Sequence, residues 1–197
     1  MTVSGGEPAS TREGASTRQR IVEATIGCVA RDGAAGSSMG AIAAATGVSK
    51  ALLHYHYSDR GRLLVEVVTQ LGERLAVRER SALEGVTGRK AIDGLWWWLD
   101  GELARGELRV LLELSLVRDP VVHAAAMAVA ASRHASAAGT TAALLALLEL
   151  EPRVPVALIA DASVALADGL VLGRMVTAAD PRVSFDVFWL AMLGLAD

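Results

Sequence analysis

Apolar positions recur at helical spacing along almost the whole chain. Ile21, Val22, Thr25, Cys28 and Val29 lie on one face of a helix over Arg18–Asp32. The next segment, Ser38 to Leu64, reads SMGAIAAATGVSKALLHYHYSDRGRLL. A short helix of small residues runs to Thr46, and Gly47-Val48 makes a tight turn. Ser49 is placed to cap a third helix, because its hydroxyl can accept an orphan N–H of the first turn. Val48, Leu53 and Tyr57 can pack inward from that helix. Lys50, Ala51, Leu52, Tyr55 and His56 spread over the rest of its surface. Two short helices joined by a glycine turn, the second polar and aromatic outside, form the layout of a helix-turn-helix. Asp59 can open a fourth helix.

The pattern predicts five further helices. The fourth spans about Asp59–Leu83, and Gly85 to Gly88 is a linker. A fifth is expected over Arg89–Ala104, a sixth over Leu108–Arg118, and a seventh from Pro120 to about Leu150. Pro152 and Pro155 close that run. An eighth reaches about Thr177, and a ninth occupies Ser184 to Gly194. No alternation of period two is long enough for a strand, and no internal repeat is present. The fold class is therefore all-α: a three-helix helix-turn-helix domain followed by a larger helical domain. Expected boundaries are a disordered tail over 1–16, the helix-turn-helix domain over 17–64, and the second domain over 65–197.

Residues 17–64, TRQRIVEATIGCVARDGAAGSSMGAIAAATGVSKALLHYHYSDRGRLL, resemble the DNA-binding domain of the tetracycline-repressor (TetR) family. The resemblance rests on order and spacing: a first helix ending near Gly33, Ser38 opening the second, Ile42-Ala43 within it, Gly47-Val48-Ser49 at the turn, and Leu53-His54-Tyr55-His56-Tyr57 before the basic Arg60. The rest of the chain resembles the family only in length and helical character. The resemblance implies DNA contact through Ser38, Ser49, Lys50, Ala51, Leu52, His54, Tyr55, His56 and Arg60. Lys50 can donate to guanine O6/N7, and Ala51 and Leu52 can pack on thymine methyls. The other residues suit phosphate. Three positions depart from the family: Gly40 stands where many members have arginine, Arg60 where many have lysine, and His54 where tyrosine is usual.

Charge changes this picture little. Through Leu64 there are seven basic and five acidic residues, a balance of +2; the whole chain is −3, leaving −5 for the remainder. A mildly basic head on an acidic body suits DNA contact by the head alone. Cys28 is the only cysteine. It lies in the apolar stripe of the first helix and reads as a small buried hydrophobe rather than a redox sensor. One unpaired cysteine suits a reducing cytoplasm. The first 16 residues lack an apolar core and do not read as a signal peptide. Val121–Leu150 and Val156–Ala179 are apolar enough to raise the membrane question. Arg133 and His134 interrupt the first, and Asp161, Asp168 and Arg174 the second. Charges there cost about 2.5–3.5 kcal/mol each in a bilayer, so buried bundle helices are expected instead.

The body offers candidates for a ligand site. Trp96, Trp97 and Trp98 cannot share a helix face at 100° per residue. Trp96 lies on the core stripe with Ile92, Leu95, Leu99 and Leu103, so Trp97 or Trp98 should meet a ligand, another helix or a second subunit. On the seventh helix His123, Met127, Ala130 and His134 share a face that either lines a cavity or lies at the exposed edge. The two histidines stand about 16 Å apart along the axis, too far to chelate one metal. The candidate ligand contacts are Trp97, Trp98, His123 and Met127, in a largely apolar pocket among helices four to eight. The eighth helix is rich in small residues, including Gly169 and Gly173. The resemblance places a homodimer interface on 156–195, with Phe188 and Trp189 as candidate anchors. Asp161 and Asp168 share a face whose direction stays open.

The expected function is a ligand-responsive transcriptional regulator, a cytoplasmic repressor released from a palindromic double-stranded DNA operator by a small apolar effector. The resemblance implies a population shift as its mechanism. Two alternatives are a helical interaction module without sequence-specific DNA binding and an all-helical enzyme. For an enzyme the chain lacks HExxH, CxxC, a phosphate-cradling glycine loop and G-x-S-x-G. His54 and His56 diverge by about 200° on their helix and do not chelate. No catalytic residue, metal or cofactor is expected.

Overall fold

The computed structural model describes residues 9–88 and 90–196, with side chains from Ser16 onward. In chain order the helices are α1 (Ala9–Gly36), α2 (Met39–Thr46), α3 (Lys50–His56), α4 (Arg60–Ser81), α5 (Lys90–Arg105), α6 (Glu107–Ser115), α7 (Pro120–Leu147), α8 (Val156–Val176) and α9 (Pro181–Leu193). No strand occurs among the described residues; Pro152 and Ala196 form one isolated bridge. Two compact units divide at Val67/Val68, three residues beyond the boundary expected from sequence.

The head buries the expected stripe of α1: Ile21, Val22, Thr25, Cys28 and Val29. Helix α1 is regular up to Gly33, whose φ of 75° and ψ of 166° break it before a last turn to Gly36. Helix begins at Ala9, inside the span expected as a tail, while residues 1–8 lie outside the described residues. Once a buried stripe nucleates a helix, each added residue gains a hydrogen bond without a second nucleation cost. Arg20 Nη2 ties α1 to the Thr46 carbonyl at 3.1 Å. Arg18 pairs with Glu66 on α4 at 2.5 Å and lies over the Tyr57 ring. Burial pushes the Tyr57 phenol well above its usual pKa, with Glu66 acting in the same direction.

Asp59 opens α4 as expected, accepting the Arg62 amide at 2.9 Å. That bond, with the Ser58 hydroxyl, holds the Asp59 carboxyl below its usual pKa. The first part of α4 buries Leu63, Leu64 and Val67 and belongs to the head. The remainder buries Val68, Leu71 and Leu75 in the body.

In the body, α7 and α8 pack along each other, and α5, α6 and α9 pack on the same bundle. Asp119 caps α7 through the Val121 and Val122 amides, with Pro120 in its first turn. A charged latch joins α4 to α5 and α6. Arg78 donates to the fully buried Glu102 at 2.6 and 2.8 Å and to Glu107 at 2.8 Å. These carboxylates raise the Arg78 pKa, hydrogen bonding to Glu102 being the largest cause. Helix α8 is long and apolar enough to cross a membrane by length and composition alone. Its Ile159, Ala160, Val164, Ala167 and Val171 are instead buried in the bundle. Asp168 meets Arg133 of α7 at 2.6 Å, and Asp161 meets His134 at 2.6 Å. The face of α8 carrying both acids is thereby turned toward α7.

Candidate nucleic-acid interface and internal cavity

The helix-turn-helix is held by local bonds. Ser38 caps α2 by accepting the Ala41 amide at 3.2 Å, and Ser49 caps α3 by accepting the Leu52 amide at 3.1 Å. Each oxygen receives an N–H and keeps its own hydrogen for donation to another acceptor. Gly47 ends α2 at φ 69°, a left-handed conformation that a side chain would strain. Leu53 fixes α3 inward, with no exposed surface, and Tyr57 follows it into the core. Lys50, Ala51, Leu52, His54 and Tyr55 are exposed, and His56 is half-buried. Tyr55 is 83% exposed and stands edge-on to His56 at 5.4 Å between centroids.

Two basic residues behave differently from expectation. Lys50 lies across the first turn of α2. Its Cε and Nζ stand 3.5 and 3.7 Å from where a β-carbon at position 40 would sit. The side chain missing at Gly40 thus leaves room for the ammonium of Lys50, a relation sequence spacing did not reveal. Arg60 is the correction. It is half-buried, its Nε donates to the Ser37 carbonyl at 2.8 Å, and its Nη2 donates to Ser37 Oγ and the Ala34 carbonyl. Its guanidinium ties the α1–α2 connection, whose carbonyls lack helical partners, so it does not stand out as a free phosphate contact.

The body contains a cavity of about 60 Å³. Leu75 and Glu79 of α4, Trp98 and Leu99 of α5, Arg133, Ala137 and Thr141 of α7, Val164 and Ala167 of α8, and Phe185 and Trp189 of α9 contribute to its wall. Of the four residues expected to touch a ligand, only Trp98 lies there. Its Nε1 is buried without an acceptor among the described residues. Trp97 is 70% exposed, Met127 is 57% exposed, and His123 is also exposed. The reason is the orientation of α7, which buries Val122, Ala126, Ala137, Thr141, Leu144 and Leu145. That choice turns the histidine–methionine stripe outward. Trp189 is buried inside its own chain, packed on Phe185 and Phe188, and does not serve as an interface anchor.

Sequence reading missed Glu79 as a wall residue. It is 6% exposed, and burial raises its carboxyl pKa above the ordinary value. The Ser136 and Thr140 hydroxyls and the charges of Arg133 and Arg80 oppose that shift. The only advance signal was its place four residues after Leu75 on the inner stripe of α4.

Residues 21–67 match the family model for bacterial regulatory proteins of the tetR family. No match occurs among curated proteins. Similar solved structures cover nearly the whole chain. A transcriptional regulator from Rhodococcus sp. Rha1 has a TM-score of 0.74 at 17% identity, over 91% of this chain and 97% of that one. A TetR-family member from Streptomyces coelicolor A3 has a TM-score of 0.64 at 26% identity, over 89% and 98%. SmeT in complex with triclosan has a TM-score of 0.69 at 16% identity, over 89% and 91%. Residues 21–67 thus match the tetR family of bacterial regulatory proteins, and the whole chain is similar in fold to transcriptional regulators of that kind.

Proposed function

We propose that the protein is a cytoplasmic homodimeric repressor that leaves a palindromic operator when a small molecule occupies the body cavity. The observation that carries the DNA reading is the outer face of α3. Lys50, Ala51, Leu52, His54 and Tyr55 are exposed on a helix whose opposite side is anchored by the fully buried Leu53. Such a helix can enter a major groove without disturbing its own core. The residues assigned to DNA are Ser38, Ser49, Lys50, Ala51, Leu52, His54, Tyr55 and His56. Lys50 reaches toward the start of α2, which favours a phosphate over a base edge. The operator is expected to carry thymine steps in each half-site, opposite Ala51 and Leu52.

The ligand reading rests on the cavity and on the small-molecule complex of a structural neighbour, SmeT with triclosan. The dimer reading rests on α8 and α9. Leu158, Leu172, Met175 and Val176 of α8 and Val183, Val187 and Leu190 of α9 are all more than half exposed. Burying such surfaces in a second copy is favourable. Ligand binding would shift the population between arrangements of the two heads, which must meet successive major grooves about 34–36 Å apart.

The test is selection of genomic fragments on the purified protein, followed by gel-shift titration of the recovered sequences. Retained fragments sharing a palindrome are expected; no retained fragment above a random pool overturns the regulator. Light scattering tests the dimer. A β-carbon at Gly169 would meet nothing within 4 Å, so Gly169→Leu is expected to leave the fold intact and disturb a partner. A wild-type monomer at micromolar concentration overturns that part.

A further inference from the structure

We propose that the body cavity takes an organic ammonium, a one-ring aromatic body whose protonated amine pairs with the Glu79 carboxylate. The inference rests on reading that cavity as the effector site and adds the charge of its occupant. Three charged groups decide the sign. Arg133 is in the wall, but its guanidinium is held by Asp168 at 2.6 and 3.4 Å. Glu79, also in the wall, faces hydroxyls and has no cation of its own in the cavity. Arg80 acts on it from an exposed position in an open groove, where water screens the charge. The wall and its immediate partner Asp168 therefore hold one excess negative charge. An anion would add repulsion beside a carboxylate that is itself buried, and a neutral ligand would leave that carboxylate without a counter-charge. An ammonium supplies the missing partner and a charge-assisted hydrogen bond.

The remaining wall fits the rest of such a molecule. Trp98, Phe185 and Trp189 present aromatic surface, whose faces attract a cation and whose area suits a ring. Ala137 and Ala167 leave the space open. The volume of about 60 Å³ holds on the order of four to six water-sized spheres, which restricts the ligand to a small body. Glu79 sits on α4, the helix whose earlier residues belong to the head, so its partner would bear directly on that helix.

The experiment uses three probes sharing one ring: benzylamine, benzyl alcohol and benzoate. Binding to the full chain is read by tryptophan fluorescence and calorimetry at neutral pH. Benzylamine should bind at least about tenfold more tightly than benzyl alcohol, with benzoate weakest. Glu79→Gln should abolish the preference for the amine. Ala167→Leu, which fills the cavity without changing Glu79, should abolish benzylamine binding. Equal or tighter binding of the alcohol, a preference that survives Glu79→Gln, amine binding that survives Ala167→Leu, or no binding of any probe overturns the proposal. If Glu79→Gln fails to fold, the Ala167→Leu and wild-type results still decide. DNA retention by the same preparations separates the two readings. Retained DNA without amine preference sinks the ammonium alone, and amine preference without retained DNA sinks the regulator alone.

Discussion

The head buries the hydroxyls of Thr25 and Ser37, whereas the body buries two carboxylates, Glu79 and Glu102, together with Thr141. Both of those head hydroxyls find their acceptors within one turn, while the Tyr57 hydroxyl is buried with no hydrogen-bond partner among the described residues. Thr25 donates to the Ile21 carbonyl at 2.7 Å and Ser37 to the Ala34 carbonyl at 2.8 Å. In the body the buried Glu102 depends on Arg78, 24 residues away, and the partly buried Arg133 on Asp168, 35 residues away. Local satisfaction lets short segments specify the helices that carry the reading surface. Long-range pairing makes the body sensitive to what enters it, because one new charge alters several coupled partners.

The largest effect should come from breaking the latch of the body. Arg78→Met strips the main partner from a carboxylate with no exposed surface and should cost about 3–5 kcal/mol. Thermal unfolding by circular dichroism measures it. A loss below about 1 kcal/mol would mean that Arg105, 3.2 Å from Glu102, suffices as a partner.

On the reading surface, Lys50→Ala should weaken operator binding by about 1–3 kcal/mol. If Lys50 holds phosphate, as its position over Gly40 suggests, the loss will be equal on matched and mismatched operators. A loss confined to one base pair would return it to base reading. Tyr55→Phe should weaken binding and leave sequence preference unchanged.

Arg60 tests the limit of that contrast, since its donors serve head carbonyls 23 and 26 residues away. Arg60→Ala should lower stability by about 1.5–2 kcal/mol and leave the salt dependence of DNA binding unchanged. A fall of about 0.9 in the slope of log affinity against log salt would instead identify a lost phosphate contact.

The smallest effect concerns Glu79. Its folded pKa is raised by burial, so the folded protein holds that proton more tightly than the unfolded chain. Stability from this group therefore falls as pH rises from the ordinary glutamate range through the raised folded value, and is flat above it. Glu79→Gln should stabilise the protein by on the order of 1 kcal/mol at neutral pH, with the gain shrinking in acid. Melting temperatures of both proteins across pH would show it. A gain that grows toward low pH contradicts the shift.

The sequence by itself determined the helices and the helix-turn-helix. Stripes such as Ile21, Val22, Thr25, Cys28 and Val29, the Ser38 and Ser49 caps and the Gly47 turn act over a few residues, and periodicity and capping report at that range. Trp96 was legible as core for the same reason. Only the tertiary structure decided which faces meet. It turned Asp161 and Asp168 toward α7, turned His123 and Met127 outward, separated Trp98 from Trp97, engaged Arg60 with the α1–α2 connection, and placed Glu79 against a cavity built from five helices. Those choices depend on partners tens of residues away. A helix with apolar residues on more than one face, as α7 and α8 are, does not specify by its own periodicity which face will be buried.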